Sequence, residues 1–376
     1  MAILIVGAGF SGSVHARELA EAGYDVTVID KRPHIGGNAY DCEDENGVRV
    51  HAYGPHLFHT KSQPVLDWIT RFAEFVPFEH KVRARLGDGR LVPLPINLDT
   101  VNTVFGTDFS TAEQVQAHLA AIALDIPEPG NAAEHLYAKI GRELTDLFFR
   151  PYTKKMWALD LEEMSPAVVK RIPLRMDRVD TYFSSEETQL LPRHGYTALF
   201  ERLLAHPHIT LRLSTGFDRS MLDGFEFCFN AMPIDEYYGF CFGELPYRSI
   251  RFHKRTEPAA PPPAWSVTNF TDAGPYTRET NWDALPCHRL HETGHRSVTV
   301  EEPCDYRDNG YERYYPVKTA DGRYQTLYEQ YRELARTEPN MEFIGRCGTY
   351  QYLDMDQVIN QSLASVRRWL AQYAEA

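Results

Sequence analysis

Residues 2–6, AILIV, are apolar without a break, and residues 25–30, DVTVID, form a second short apolar run ending in an acid. Between them, residues 12–22 return apolar side chains at helical spacing. Strand, helix and strand in that order predict a βαβ unit at the start of the chain. From about 98 to 170 the period becomes helical. Ser110 and Glu113 have capping-box spacing ahead of QVQAHLAAIAL, Glu134–Arg150 is an amphipathic run, and Ser165–Pro166 reads as an N-cap and first helical residue.

Strands return at ITLRLS and FEFCFN (210–230), then at YRSIRFH, WSVTNF and SVTVEE (245–301), predicting an antiparallel sheet. PAAPPPA at 258–264 lies between strands of like character, so it reads as a rigid surface loop more than as a linker. The last element is a helix with Met355, Val358, Ile359, Leu363, Val366 and Leu370 on one face. The predicted fold is α/β: a Rossmann-like nucleotide-binding domain interrupted by a helical bundle and an antiparallel β-sheet domain.

Composition narrows this picture. At 376 residues the chain exceeds what one core usually supports, so two or three domains are expected. A net charge of −13 argues against nonspecific nucleic-acid binding and requires any anion site to gather its arginines locally. No apolar run approaches a membrane span, and MAILIVGAGF runs into a glycine loop without the features of a leader. The 6 cysteines are scattered with no CxxC or His/Cys cluster, which argues for a reducing cytoplasm and against a zinc or disulfide scaffold. The 21 tyrosines, many beside other aromatics, fit either core packing or a stacking surface for sugars and bases.

The candidate chemistry starts at GAGFSG. Gly7, Gly9 and Gly12 are in GxGxxG register after an apolar strand and before a helix, and Asp30 ends the second strand. In that context the pattern predicts a dinucleotide site, with phosphates on the helix N-terminus and ribose on Asp30. Gly36 and Gly37 in KRPHIGGN exceed what a plain dinucleotide fold needs. They fit a backbone passing close to a larger cofactor, or a bare turn. FIGRCGTYQYLDMDQVI reads as a strand ending at Gly345-Arg346 and a helix starting near Asp354, which is either an N-cap or a residue facing a flavin.

KRPHIGGN resembles the extended signature of amine-oxidase-like flavoproteins. YGPHLFHT (53–60), PYTKKMW (151–157), KRIPLR (170–175), VTNFTDAGPYTR (267–278) and YYPV (314–317) together resemble the bacterial UDP-galactopyranose mutase family, in the expected order along the whole chain. The resemblance implies an FAD domain (1–75, 190–244 and 316–376), a helical bundle (98–170, with a mobile loop near 158–175) and a sheet domain (76–97, 171–189 and 245–315). It implies reversible isomerisation of UDP-galactopyranose and UDP-galactofuranose, supplying galactofuranose for cell-surface glycans. The working cofactor is reduced FAD, whose N5 attacks the anomeric carbon. An electron donor, a homo-oligomer and a cytoplasmic location belong to the same expectation.

Residue by residue, the resemblance places Gly7, Gly9, Phe10, Ser11, Gly12, Asp30, Lys31, Gly37, Asn38 and Met355 around FAD. His56 and His59 lie beside the flavin, with Arg248 and Arg346 in its surroundings. Tyr152 stacks on uracil, Trp157 borders the nucleotide pocket, and Phe148 and Phe149 line it. Arg171 and Arg278 hold the diphosphate, and Tyr182, Asn269, Tyr315, Tyr352 and Asp354 complete the site. Arg171, Arg278 and His59 form the catalytic set. By pattern alone, Arg171 is a solvated member of a basic run, Tyr152 and Trp157 are core residues, and the two histidines lack a third metal ligand. Two positions depart from the family: Asp30 stands where Glu is common, and Met156 where Gln is frequent.

No net redox change accompanies the implied reaction, so the flavin acts as a nucleophile and carries no hydride. Two arginines suit a diphosphate leaving group because each can donate bidentate hydrogen bonds to it. The other readings are an FAD-dependent amine-oxidase-like oxidoreductase and a noncatalytic UDP-sugar-binding flavoprotein.

Overall fold

The computed structural model describes residues 2–170, 174–184 and 186–373. Strand β1 (Ala2–Val6), helix α1 (Phe10–Glu21) and strand β2 (Asp25–Ile29) make the expected βαβ unit. β1 lies at the centre of a five-stranded sheet, between β2 and Phe227–Asn230, with Ile209–Arg212 and Met341–Phe343 at the edges. All four pairings are parallel. A parallel sheet covered on both faces needs apolar residues at every position, which is why AILIV does not alternate. Ile3, Leu4 and Ile5 are fully buried.

The second large sheet has seven strands and unites remote segments: Val82–Arg85 and Leu91–Leu94 with five strands between Tyr247 and Pro316. It is rich in antiparallel pairs but not purely antiparallel. Val267–Phe270 pairs parallel with Val82–Arg85, because a strand from far upstream enters beside it. The proline-rich segment after Pro258 is a surface loop, its residues largely exposed.

The helical region packs its own core around Leu98, Val101, Leu119, Leu136, Ile140 and Leu144. Its capping box is one residue later than the spacing indicated. Thr111 caps, and Gln114 accepts from the Thr111 N–H, so Ser110 and Glu113 are not the pair. Ser165 accepts from the Ala167 N–H at 3.3 Å at the start of a short helix, Ala167–Lys170. Helix α2 (Arg150–Trp157) follows a π-helical turn, Thr145–Phe149. The last helix, α3 (Met355–Tyr373), buries Val358, Ile359, Leu363 and Val366 against α1 and the parallel sheet. Among the described residues, no helix is long and apolar enough to cross a membrane, and no His/Cys/Asp/Glu group could hold a metal ion.

Candidate active site

A cavity of about 400 Å³ opens at the carboxyl ends of β1, β2 and Phe227–Asn230. This is where open parallel sheets take their ligands. Gly7, Gly9, Phe10, Ser11 and Gly12 line its floor. A β carbon on Gly12 would stand 1.9 Å from the Gly7 carbonyl oxygen, so helix and loop meet only through glycine. The first turn of α1 has no side-chain cap, leaving its N–H groups and positive dipole end for an anion.

The glycine pair solves a packing problem beneath the same cavity. Gly37 has φ +55°, and its β carbon would come within 3.0 Å of the Gly9 α carbon. The Gly36 N–H donates to the Ala8 carbonyl at 2.9 Å, fastening this second loop to the first. Asp30 lines the cavity while its carboxylate accepts from the Ala8 N–H at 2.8 Å and the Arg32 N–H at 2.9 Å. Each oxygen keeps a lone pair, so a ribose hydroxyl can still donate to it.

Lys31, Asn38, His56, Arg346 and Met355 also line the cavity. Gly37, His59, Arg248 and Asp354 are not in its wall. Asp354 precedes α3, where its N–H donates to Gln357 and its carbonyl accepts from the Val358 N–H. Arg248 donates to the Met156 carbonyl at 2.9 Å, closing the C-terminal end of α2. His59 bonds through Nδ1 to Glu187 at 2.6 Å and stacks on Phe183 with centroids 3.7 Å apart.

A second group of side chains gathers between α2 and the seven-stranded sheet. Arg278 stands between Asn269 and Glu301 on adjacent strands, in direct register with both. Its Nε lies 2.8 Å from the Glu301 carboxylate, which is only 1 % exposed. Burial raises the Glu301 carboxyl against the opposing pull of Arg278. The Asn269 Oδ1 atom is buried with no hydrogen-bond partner among the described residues. Burial pushes the Tyr152 hydroxyl up to about 12 although Arg278 draws it down. Tyr315 and Tyr352 stack at 5.5 Å, and Trp157 meets Tyr315 edge-on at 6.0 Å.

Phe148 is buried in the helical core, Phe149 is partly buried against it, and Tyr182 packs edge-on against Phe183 beside His80. Arg171 lies outside the described residues.

Two of the described residues join the cavity to this cluster. Arg346 lines the cavity, and its guanidinium lies 5.1 Å from the Tyr352 ring and 5.7 Å from Tyr315. It donates to the Tyr314 carbonyl, while its buried Nε has no hydrogen-bond partner among the described residues. His56 is the other. Burial lowers its imidazole to about 4, the Gly54 carbonyl opposes, and Arg346 and Arg278 lower it further. Nδ1–H donates to the Gly54 oxygen at 2.8 Å, so the neutral ring keeps an acceptor at Nε2.

Several site residues were absent from the sequence reading. Arg32 and Glu312 form an ion pair on the cavity wall, where Thr215, Gly216 and Met232 also lie. Glu301 sits in the strand SVTVEE, and only its register opposite Arg278 marks it. Gly216 follows a strand end, a signal that the βαβ logic could have supplied.

The sequence profile of the UDP-galactopyranose mutase family matches residues 147–352, and that of an NAD(P)-binding Rossmann-like domain matches residues 5–72. A probable UDP-galactopyranose mutase of Klebsiella pneumoniae is 36% identical over 99% of this chain and 95% of the relative. A dTDP-fucopyranose mutase of Escherichia coli is 34% identical over 99% of both. A crystal structure of reduced UDP-galactopyranose mutase shares the fold, with a TM-score of 0.77 at 19% identity over 99% of this chain and 96% of that one. This chain is an isomerase that belongs to the UDP-galactopyranose mutase family.

Proposed function

We propose that the protein interconverts UDP-galactopyranose and UDP-galactofuranose with reduced FAD bound in the parallel-sheet cavity. The observation that carries this reading is the cluster of Tyr152, Trp157, Tyr315 and Tyr352 around Arg278, joined to the cavity through Arg346 and His56. The residues present fit FAD: a glycine cradle that a β carbon would fill, an uncapped helix N-terminus and a buried Arg346 Nε without a partner among the described residues. Reduced FAD, when bound, supplies a nucleophilic nitrogen for the anomeric carbon.

The protein's part is to bind, orient and neutralise. The Tyr152 ring offers a flat face to the base, which needs no fixed hydrogen-bond pattern. Arg278, held by Glu301, donates to the diphosphate as charge gathers on it, and Arg171 is its expected partner there. One such donor contributes on the order of 3 kcal/mol to the transition state. Neutral His56 accepts at Nε2 and adds no positive charge beside Arg346 and Arg278. The tyrosine rings exclude water, so a sugar detached from UDP recombines before it is hydrolysed. An electron donor that keeps the flavin reduced, a cytoplasmic location, a homo-oligomer and galactofuranose supply to cell-surface glycans complete the proposal.

Dithionite-reduced protein incubated with UDP-galactofuranose should yield UDP-galactopyranose by chromatography, and the oxidised protein should not. A parallel incubation with dTDP-fucopyranose tests the sugar nucleotide named for the second relative. Failure to convert UDP-galactofuranose with FAD bound and reduced refutes the proposal.

A further inference from the structure

Lys155 lies on α2 between Tyr152 and Trp157, yet its ammonium is spent on backbone. Nζ donates to the carbonyl oxygens of Phe270 at 2.9 Å, Asp272 at 2.9 Å and Tyr276 at 2.7 Å. An ammonium has three N–H groups, so its donor capacity is filled. The side chain is 9% exposed, and the Asp272 carboxylate lies 3.6 Å away. All three carbonyls belong to one hairpin turn between strands Val267–Phe270 and Arg278–Asn281. The Phe270 N–H closes the base of that turn on the Thr277 carbonyl at 2.8 Å.

One arm of the hairpin carries Asn269 and the other begins with Arg278. The helix that Lys155 grows from carries Tyr152 and Trp157 on the side facing Arg278 and Tyr315. We infer that Lys155 is a positioning residue that sets the separation between the Tyr152–Trp157 wall and Arg278, and with it the fit of a nucleoside diphosphate. The ligand's chemistry rests on the mutase reading above. Arg248 holds the end of α2 to the strand beside Tyr315, so without Lys155 the helix stays docked there. The turn itself is exposed at Asp272 and Tyr276, so water replaces the lost ammonium bonds. The consequence of removing Lys155 is therefore a displaced Arg278 in a folded protein.

Lys155→Met keeps the length and apolar stem of the side chain and removes every donor. Flavin content and melting temperature should stay near wild type. The UDP dissociation constant should rise and kcat/KM for UDP-galactofuranose should fall about ten- to a hundredfold, as for a displacement near 1 Å. Lys155→Cys alkylated with 2-bromoethylamine restores an ammonium at almost the same reach and should recover UDP affinity and turnover. Wild type treated identically controls for the 6 native cysteines. UDP affinity and kcat/KM within twofold of wild type in Lys155→Met overturn the inference. So does a loss that travels with flavin loss, or no recovery after alkylation confirmed by mass. A wild type that binds no UDP and converts no UDP-galactofuranose instead sinks the mutase reading, and this inference with it.

Discussion

Acid should unfold this protein through buried imidazoles before it titrates most carboxylates. His51 is the hub. Its Nδ1 accepts from the His56 N–H at 3.0 Å, and its Nε2 lies 3.2 Å from Nε2 of His288. His288 Nδ1 must donate to the Pro286 carbonyl 3.0 Å away, so its Nε2 accepts and His51 Nε2 donates. That assignment uses every ring nitrogen and leaves no place for another proton. Burial lowers His51 well below its ordinary value and His288 to about 4, and burial with Arg278 lowers His80 to about 3.

A base with a depressed folded pKa stabilises the fold above its unfolded pKa of 6.5 and loses that contribution as pH falls toward the folded value. Charging His288 inside the fold would cost about 3 kcal/mol, and charging His80 about 5 kcal/mol. Together these rival the ~5–15 kcal/mol of a typical domain. Near pH 5 the unfolded chain binds up to three more protons at these sites, a slope near 4 kcal/mol per pH unit. For a chain of this size the melting temperature should drop by about 5 °C per unit.

Calorimetry of the flavin-bound protein between pH 7.5 and 5 measures this slope. Free-flavin fluorescence should appear in the same window, because His51 holds the backbone of His56 at the cavity. His288→Gln should shrink the slope by one proton's worth, about 1.4 kcal/mol per pH unit. A melting temperature flat across this range, or an unchanged slope in His288→Gln, refutes the assignment of neutral buried imidazoles.

Two substitutions probe the two halves of the site. Gly12→Ala drives a methyl against the Gly7 carbonyl, where the available gap is 1.9 Å. The loop must move by more than an ångström, so purified protein should carry no flavin absorbance near 450 nm, and retained flavin would count against the cradle. Glu301→Gln keeps the shape beside Arg278 and removes the charge. Flavin should remain while kcat/KM falls about a hundredfold, the scale of one transition-state donor. If the variant turns over normally, Arg278 does not need its buried carboxylate.

GxGxxG, the acid at Asp30 and the pair Gly36–Gly37 were legible because each reports a local demand on backbone: a tight turn, a strand end, a close approach. The central strand betrayed its double-sided burial by lacking alternation, and α3 showed its face through its period. The cap at Thr111 was missed by one residue, since Ser110 and Thr111 are chemically alike and only hydrogen-bond geometry separates them.

The sequence by itself therefore determined the dinucleotide-binding unit, the alternation of helical and strand regions, and, through the run of rare motifs, the family. Tertiary structure alone decided the partnerships. It set Glu301 opposite Arg278, put a strand from the first hundred residues parallel to Val267–Phe270, and tied Lys155 to a turn more than a hundred residues away. It also turned Arg248 to the end of α2 and His59 to Glu187. Periodicity and glycine constraints act within a few bonds and can be read along the chain. Register between distant strands and the reach of a buried lysine depend on how separate segments pack, and no local pattern encodes that.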